Sequence, residues 1–439
     1  MSPEIIGIIG IVALIVLFLL RVPVGIAMLV VGFLGTGWIR GWNIAFLQLG
    51  RTPFETAGSY SLSVIPLFIL MGMVVSFTGI GRDLFRAVDS WIGHFRGGLA
   101  MATLGTAAVF SSICGSLNAT TATVARIVLP EMDKYKYKPS LSTSCVAAGG
   151  TLGSLIPPSV ILVLYGILTR EPIGKLLIAG IIPGIVQLLL FILTVYILIR
   201  RDPSLAPARA EKASFRERFS LMKNIWPFFL IFIVTIGGIY MGIYTATEAA
   251  AFGSFASIVT ALVYGIVKKQ FELKMLKVSF DQTVRLTAYI FLILMGANVF
   301  SQFLSISRIP VKLTAFVSSL DLNQYVILSL ILIALFILGC FVEGLSLMVL
   351  TLPITYPIVT QMGFSGIWFG VIMVLAINIG ALTPPLGISV YDVKGVAKDV
   401  PIQTIFRGVI PMVAAMVVCV AVLTIVPELV TILPDMMRN

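Results

Sequence analysis

The sequence predicts an all-α polytopic membrane protein made of two inverted repeats, each contributing five spans and one re-entrant hairpin. Three observations lead there. Of 439 residues, 59% are hydrophobic and only 11% charged, against roughly 25% charged residues in a soluble domain. Apolar runs close to the roughly 20 residues that cross a bilayer recur along the whole chain. Blocks of the first half also reappear in the second at a nearly constant spacing.

The first repeat, 1–199, opens with spans at about 4–20 and 23–39. The N-terminal run carries Glu4 and no basic residue ahead of it, so it reads as a retained span and not as a signal peptide. Further spans follow at about 62–79, 141–168 and 177–199. A polar, basic linker, 200–223, leads to the second repeat, 224–439, with spans at about 225–243, 246–267, 286–304, 366–393 and 404–426. Two apolar pairs, 98–130 and 324–359, are too short to cross twice and bend around polar, glycine-containing centres, as re-entrant hairpins do. Segments 40–60, 80–97 and 305–323 mix apolar and charged residues and read as amphipathic helices lying along the membrane. The single histidine, His94, falls in the second of these and reads as an interfacial side chain, ahead of the proton relay it would otherwise suggest.

Repetition supports the two halves. Leu67–Gly72 (LFILMG) returns as Phe291–Gly296 (FLILMG), and Pro157-Pro158 returns 227 positions later as Pro384-Pro385, with Gly153 and Gly380 in the same register. Ala179–Pro183 resembles Arg407–Pro411. Five spans per repeat turn the second repeat over in the membrane. With the 200–223 linker in the cytoplasm, 22 Lys and Arg fall on the cytoplasmic side and 7 outside, the expected positive-inside bias. Both termini then face the periplasm, Lys212 lies in the cytoplasm and Lys312 outside.

Several function classes are excluded. The net charge of +11 is spread in short clusters between apolar runs, without the aromatic-interleaved basic surface of a nucleic-acid binder. The chain has no GxxxxGK[ST] phosphate loop, no HExxH and no GxSxG, so neither ATP hydrolysis nor an intramembrane hydrolase fits, and no cofactor is implied. Cys114, Cys145, Cys340 and Cys419 lie in apolar runs without metal-ligand spacing and read as small buried side chains.

The chemistry concentrates at the bends. Around the first hairpin tip stand Ser111, Ser112, Gly115, Ser116, Asn118, Thr120, Thr121 and Thr123, followed by the Gly149, Gly150, Thr151 and Pro157-Pro158 break in the next span. Opened helices expose carbonyls and positive N-termini, and short hydroxyls add oxygen ligands suited to a hard cation such as Na⁺. The other reading is that these small residues only allow close helix packing. The second half offers Gly339, Glu343, Gly344 and Ser346 at its tip, and Asn378, Gly380, Thr383 and Pro384 at its break, which predicts a second cation site. Arg126, Glu248, Glu343 and Asp392 are ionisable residues at apparent membrane depth and costly unless paired or hydrated. Arg126 either meets a substrate carboxylate or, roughly 16 Å from the tip, snorkels to the cytoplasmic surface. A solute transporter whose site is built by broken segments is the reading these features favour, with a passive channel or scaffold subunit as the rival.

GSLNATTATVARIVLPEM, AAGGTLGSLIPPSVILVLYG and NIGALTPPLGISVYDVKG strongly resemble the large membrane subunit of tripartite ATP-independent periplasmic (TRAP) transporters, and the likeness extends over essentially the whole chain. The resemblance implies an elevator-type, Na⁺-coupled importer of the bacterial inner membrane. It implies two partners as well: a small four-helix membrane subunit, and a soluble periplasmic binding protein that delivers an organic acid of the C4-dicarboxylate or sialic acid class.

Overall fold

A computed structural model describes residues 1–207, 214–268, 273–320 and 322–437; Lys212, expected on the cytoplasmic side, lies outside them. The described residues form helices and no strand. The first half contains α1 Pro3–Leu19, α2 Val24–Arg40, α3 Trp42–Ala57, α4 Val64–Phe77, α5 Ile80–Ile92, α6 Gly98–Cys114, α7 Leu117–Lys134, α8 Pro139–Thr151, α9 Val160–Thr169, α10 Ile173–Ala179 and α11 Ile181–Arg201. After α12 Phe215–Lys223 the second half follows: α13 Trp226–Phe232, α14 Gly238–Tyr240, α15 Ala246–Val267, α16 Leu273–Ser307, α17 Ile309–Ser319, α18 Gln324–Gly339, α19 Gly344–Gln361, α20 Gly366–Leu382, α21 Ile388–Val396, α22 Ile402–Ile425 and α23 Glu428–Asp435.

The segments expected as hairpins are the helix pairs α6–α7 and α18–α19, and the segments expected as broken spans are the helix pairs α8–α9 and α20–α21. Capping chemistry explains where the chain breaks. Ser116 caps α7 by accepting from Ala119 N, Ser159 caps α9 by accepting from Leu162 N, and Glu343 caps α19 by accepting from Ser346 N. Each satisfies an N–H that the interrupted helix leaves unpaired. The segments at 40–60, 80–97 and 305–323 become α3, α5 and α17.

The pairing of helices follows a crossed pattern. α2 packs along α16 and α15 along α4, while α16 and α4 also meet, so each half holds a helix of the other. The hairpin arms α6 and α18 lie on the broken spans α8 and α20 of their own half, and the second pieces, α9 and α21, lie on the opposite hairpin's second arm. Ile8, Val12, Leu189, Leu193, Phe255, Ile333 and Val417 remain exposed on outer faces, an arrangement that a surrounding lipid phase stabilises and water does not. All four cysteines are free and buried, as expected.

Four details differ from expectation. The span expected at 286–304 is part of a 35-residue helix, about 52 Å long at 1.5 Å per residue and so longer than the bilayer is thick. Its charged first turns were invisible to a hydropathy reading. The linker 200–223 contains α12, which is bent by 48° against the 226–240 segment, and that segment is interrupted by a π turn at Ile233–Gly237. α19, expected as a short arm, is 18 residues long and apolar enough to span, with Pro353 and Pro357 inside it. Finally, Glu248 is not an isolated charge: it is exposed in the first turn of α15 and closes a capping box with Thr245, which gives its carboxylate local hydrogen-bond partners.

Candidate functional site between the hairpin tips

The two tips and the two breaks enclose a cavity of about 220 Å³. Part of its lining comes from the starts of four helices: Leu117 and Asn118 of α7 with its cap Ser116, Val160 and Ile161 of α9, Gly344 and Leu345 of α19 with its cap Glu343, and Ile388 of α21; Ser154 and the last turns of α20, with Ile377, Asn378 and Ala381, complete that side. Helix N-termini carry unpaired N–H groups and a positive partial charge, so four of them around one volume favour an anionic group there. The wall opposite the tips is Leu286, Tyr289 and Ile290 of the long helix α16.

Backbone bonds fasten each tip to its break. Val160 N donates to Gly115 O, and Leu386 N donates to Cys340 O, each at 3.2 Å. Gly115 has φ +63°, which L side chains adopt at a cost, and this turn lets its carbonyl leave the helix direction. In the second half, a Cβ on Gly380 would stand 2.5 Å from the carbonyl carbon of Gly339, so the arm and the broken span touch backbone to backbone.

A polar cluster joins the halves behind the cavity. Asn378 Nδ2 donates to Thr151 O at 3.2 Å, and Ser154 Oγ donates to Asn378 Oδ1 at 2.8 Å. Gln187 Nε2 donates to Thr151 Oγ1 at 2.9 Å. Beside this cluster, the hydroxyls of Ser111 and Thr120 are fully buried and have no hydrogen-bond partner among the described residues. A buried hydroxyl without a partner costs about 1–3 kcal/mol in desolvation; Thr36, Thr106, Thr287 and Ser389 have such hydroxyls as well, and what sets Ser111 and Thr120 apart is their place next to the first hairpin tip. Their oxygens suit a small hard cation. No cluster of three His, Cys, Asp or Glu side chains occurs among the described residues.

The structure brings some of the expected residues to the cavity and separates others. Gly115, Ser116, Asn118, Glu343, Gly344 and Asn378 line it. Ser111, Thr120, Thr151, Pro157, Gly339 and Gly380 are buried around it. Gly149 and Gly150 serve packing, since Cβ atoms there would meet Ala107 and Thr121. Ser112 bonds its own helix at Val109 O, and Thr383 does the same at Ile379 O; Pro384 is exposed. Arg126 is not near the cavity; it is exposed and lines a separate one. Asp392 is half-buried on α21 and does not line the cavity either. Ser154, Tyr289 and Gln187 were missed. Ser154 and Gln187 were legible as polar residues within apolar runs, whereas Tyr289 reaches the site only through tertiary packing.

Comparison with known proteins decides the family. A sequence profile of the tripartite ATP-independent periplasmic transporter, DctM component, matches residues 11–429. The chain belongs to the DctM family of TRAP transporters. This permease is 32% identical over 418 residues to the sialic acid TRAP transporter large permease protein SiaM of Vibrio cholerae, covering 94% of this chain and 95% of the relative. It is 32% identical over 383 residues to the C4-dicarboxylate TRAP transporter large permease protein DctM of Pseudomonas aeruginosa, covering 87% and 88%. Among solved structures, the YdaH transporter of Alcanivorax borkumensis shares the fold with a TM-score of 0.59 at 14% identity, covering 87% of this chain and 88% of that one. The chain is therefore a multi-pass membrane subunit of the TRAP transporter type.

Proposed function

We propose that this permease imports an organic acid across the bacterial inner membrane, coupled to Na⁺ entering with it. The observation that carries the reading is the convergence of four helix N-termini on one cavity between two hairpin tips. A carboxylate is the ligand such an array favours. The buried hydroxyls of Ser111 and Thr120 supply cation oxygens next to the first tip. Glu343 adds a physical reason for coupling. Its carboxylate lines the same cavity while capping Ser346 N at 3.3 Å. An anion beside a carboxylate is repelled, and a cation bound next to the cavity reduces the repulsion.

The hairpins and broken spans are the parts that carry the solute, and α2, α4, α15 and α16 with the arms α3, α5 and α17 form the frame past which they move. Both termini face the periplasm in this reading. In this reading the subunit works with a small four-helix membrane protein and with a soluble periplasmic protein that delivers the acid. The C4-dicarboxylate and sialic acid classes are the first to test.

Proteoliposomes holding the permease with both partners should accumulate labelled C4-dicarboxylate or sialic acid against its gradient only with high external Na⁺. Accumulation that ignores Na⁺ would remove the coupling, and equilibration without accumulation would make the protein a passive channel.

A further inference from the structure

A second cavity, of about 470 Å³, lies between the arm helix α5 and the second hairpin arm α7. Four cations line it: Arg82 and Arg86 from α5, Arg126 and Lys134 from α7. All four are exposed, and none forms an ion pair among the described residues. Asp89 and Glu131 line it too, leaving a formal excess of two positive charges. Ile127 and Pro130 give the same cavity an accessible apolar edge.

We infer that this cavity binds the phosphate of an anionic phospholipid headgroup and thereby bridges the arm α5 to the first hairpin. Three features select a lipid phosphate over a free one. α5 is strongly two-sided, with Ile80, Leu84, Phe85 and Ala87 buried and Arg82 and Arg86 exposed, the pattern of a helix lying at the headgroup level. The apolar edge beside the cations suits the glycerol and upper acyl carbons that a free phosphate lacks. Basic pockets between membrane helices hold such headgroups by charge and hydrogen bonding. Four like charges on two helices repel each other, and a phosphate between them turns the repulsion into a tie. The site shares no lining residue with the hairpin cavity, so it stands whatever the substrate or coupling ion is.

The test measures binding to the purified full chain by native mass spectrometry and thermal shift, with phosphatidylglycerol, phosphatidylcholine or soluble glycerol phosphate added. Phosphatidylglycerol should bind and raise the melting temperature, and phosphatidylcholine should do neither. Arg82→Gln combined with Arg126→Gln should weaken phosphatidylglycerol binding roughly 10- to 30-fold, at about 1 kcal/mol per lost cation. Arg201→Gln, an exposed cation elsewhere, should leave it unchanged. Glu131→Gln removes a repelling carboxylate and should strengthen binding, a gain that misfolding cannot produce. Equal phosphatidylglycerol binding by the wild type and the double variant, or no strengthening in Glu131→Gln, would overturn the site. Protection by glycerol phosphate equal to that by the lipid would assign the cavity to a free phosphate instead.

Discussion

Asn378 Nδ2 donates to Thr151 O across 3.2 Å, and the two residues stand 227 positions apart, the spacing that also separates the two proline pairs. The bond therefore ties one broken span to the other at corresponding points of the repeat. Asn378→Ala removes this bond and the acceptor of Ser154 Oγ, and should destabilise the protein by about 1–3 kcal/mol. Asn378→Asp keeps the shape, turns a donor into an oxygen facing a carbonyl, and should cost at least as much. Thermal unfolding of both purified variants checks this, and a melting temperature equal to that of the wild type would show that the bond is not formed.

The unpartnered hydroxyls separate ion binding from packing. Thr120→Val preserves volume but removes one oxygen, so half-saturation by Na⁺ should rise roughly 5- to 150-fold, the equivalent of about 1–3 kcal/mol. Ser111→Ala should act in the same direction. Thr151→Ala should instead lower the melting temperature, because its hydroxyl already bonds Ala148 O and accepts from Gln187. Na⁺ activation curves and melting temperatures measured on the same samples distinguish the two. An unchanged half-saturation in both Thr120→Val and Ser111→Ala would retire the cation assignment.

Gly380→Ala places a methyl 2.5 Å from the carbonyl carbon of Gly339. Both sides are backbone, so relief requires moving the arm away from the broken span, with a cost of about 1–3 kcal/mol. Gly395→Ala, which meets nothing within 4 Å, should be far milder. Similar melting temperatures for the two variants would argue against the close approach.

Asp202 predicts a pH effect outside the membrane. The Ser204 hydroxyl and amide, and then Lys138, hold its carboxyl below the usual range. A carboxyl with a lowered folded-state value stabilises above its unfolded value, near pH 4, and loses that contribution as pH falls through the folded value. Asp202→Asn should therefore flatten the decline of melting temperature on acidification below about pH 4 relative to wild type. Parallel curves would remove Asp202 from the acid response. The group is exposed, so the effect is small and falls with added salt.

The orientation has its own test. Cysteines placed at Arg201 and Lys312 in a background without the four native cysteines should label differently with an impermeant maleimide on intact cells, position 312 reacting and position 201 not. Equal labelling would refute the orientation with both termini outside.

Polarity and periodicity by themselves determined the class of the protein and the polar, glycine-containing interruptions at which its apolar segments divide into paired helices. Serine and glycine within an apolar run signal a helix that must end there, because the bilayer supplies no water to an unpaired N–H. Only the tertiary structure decided which broken ends meet. Ser116, Val160, Gly344 and Ile388 are up to 272 positions apart and share one cavity, and nothing local encodes that juxtaposition. Arg126 shows the same limit. Its distance along α7 fits both the substrate and the membrane surface, and only the packing of α5 against α7 shows that it shares a cavity with Arg82, Arg86 and Lys134. The crossed pairing of α2 with α16 and of α15 with α4 likewise depends on how small residues let helices approach, a property of two surfaces together and not of either stretch of sequence.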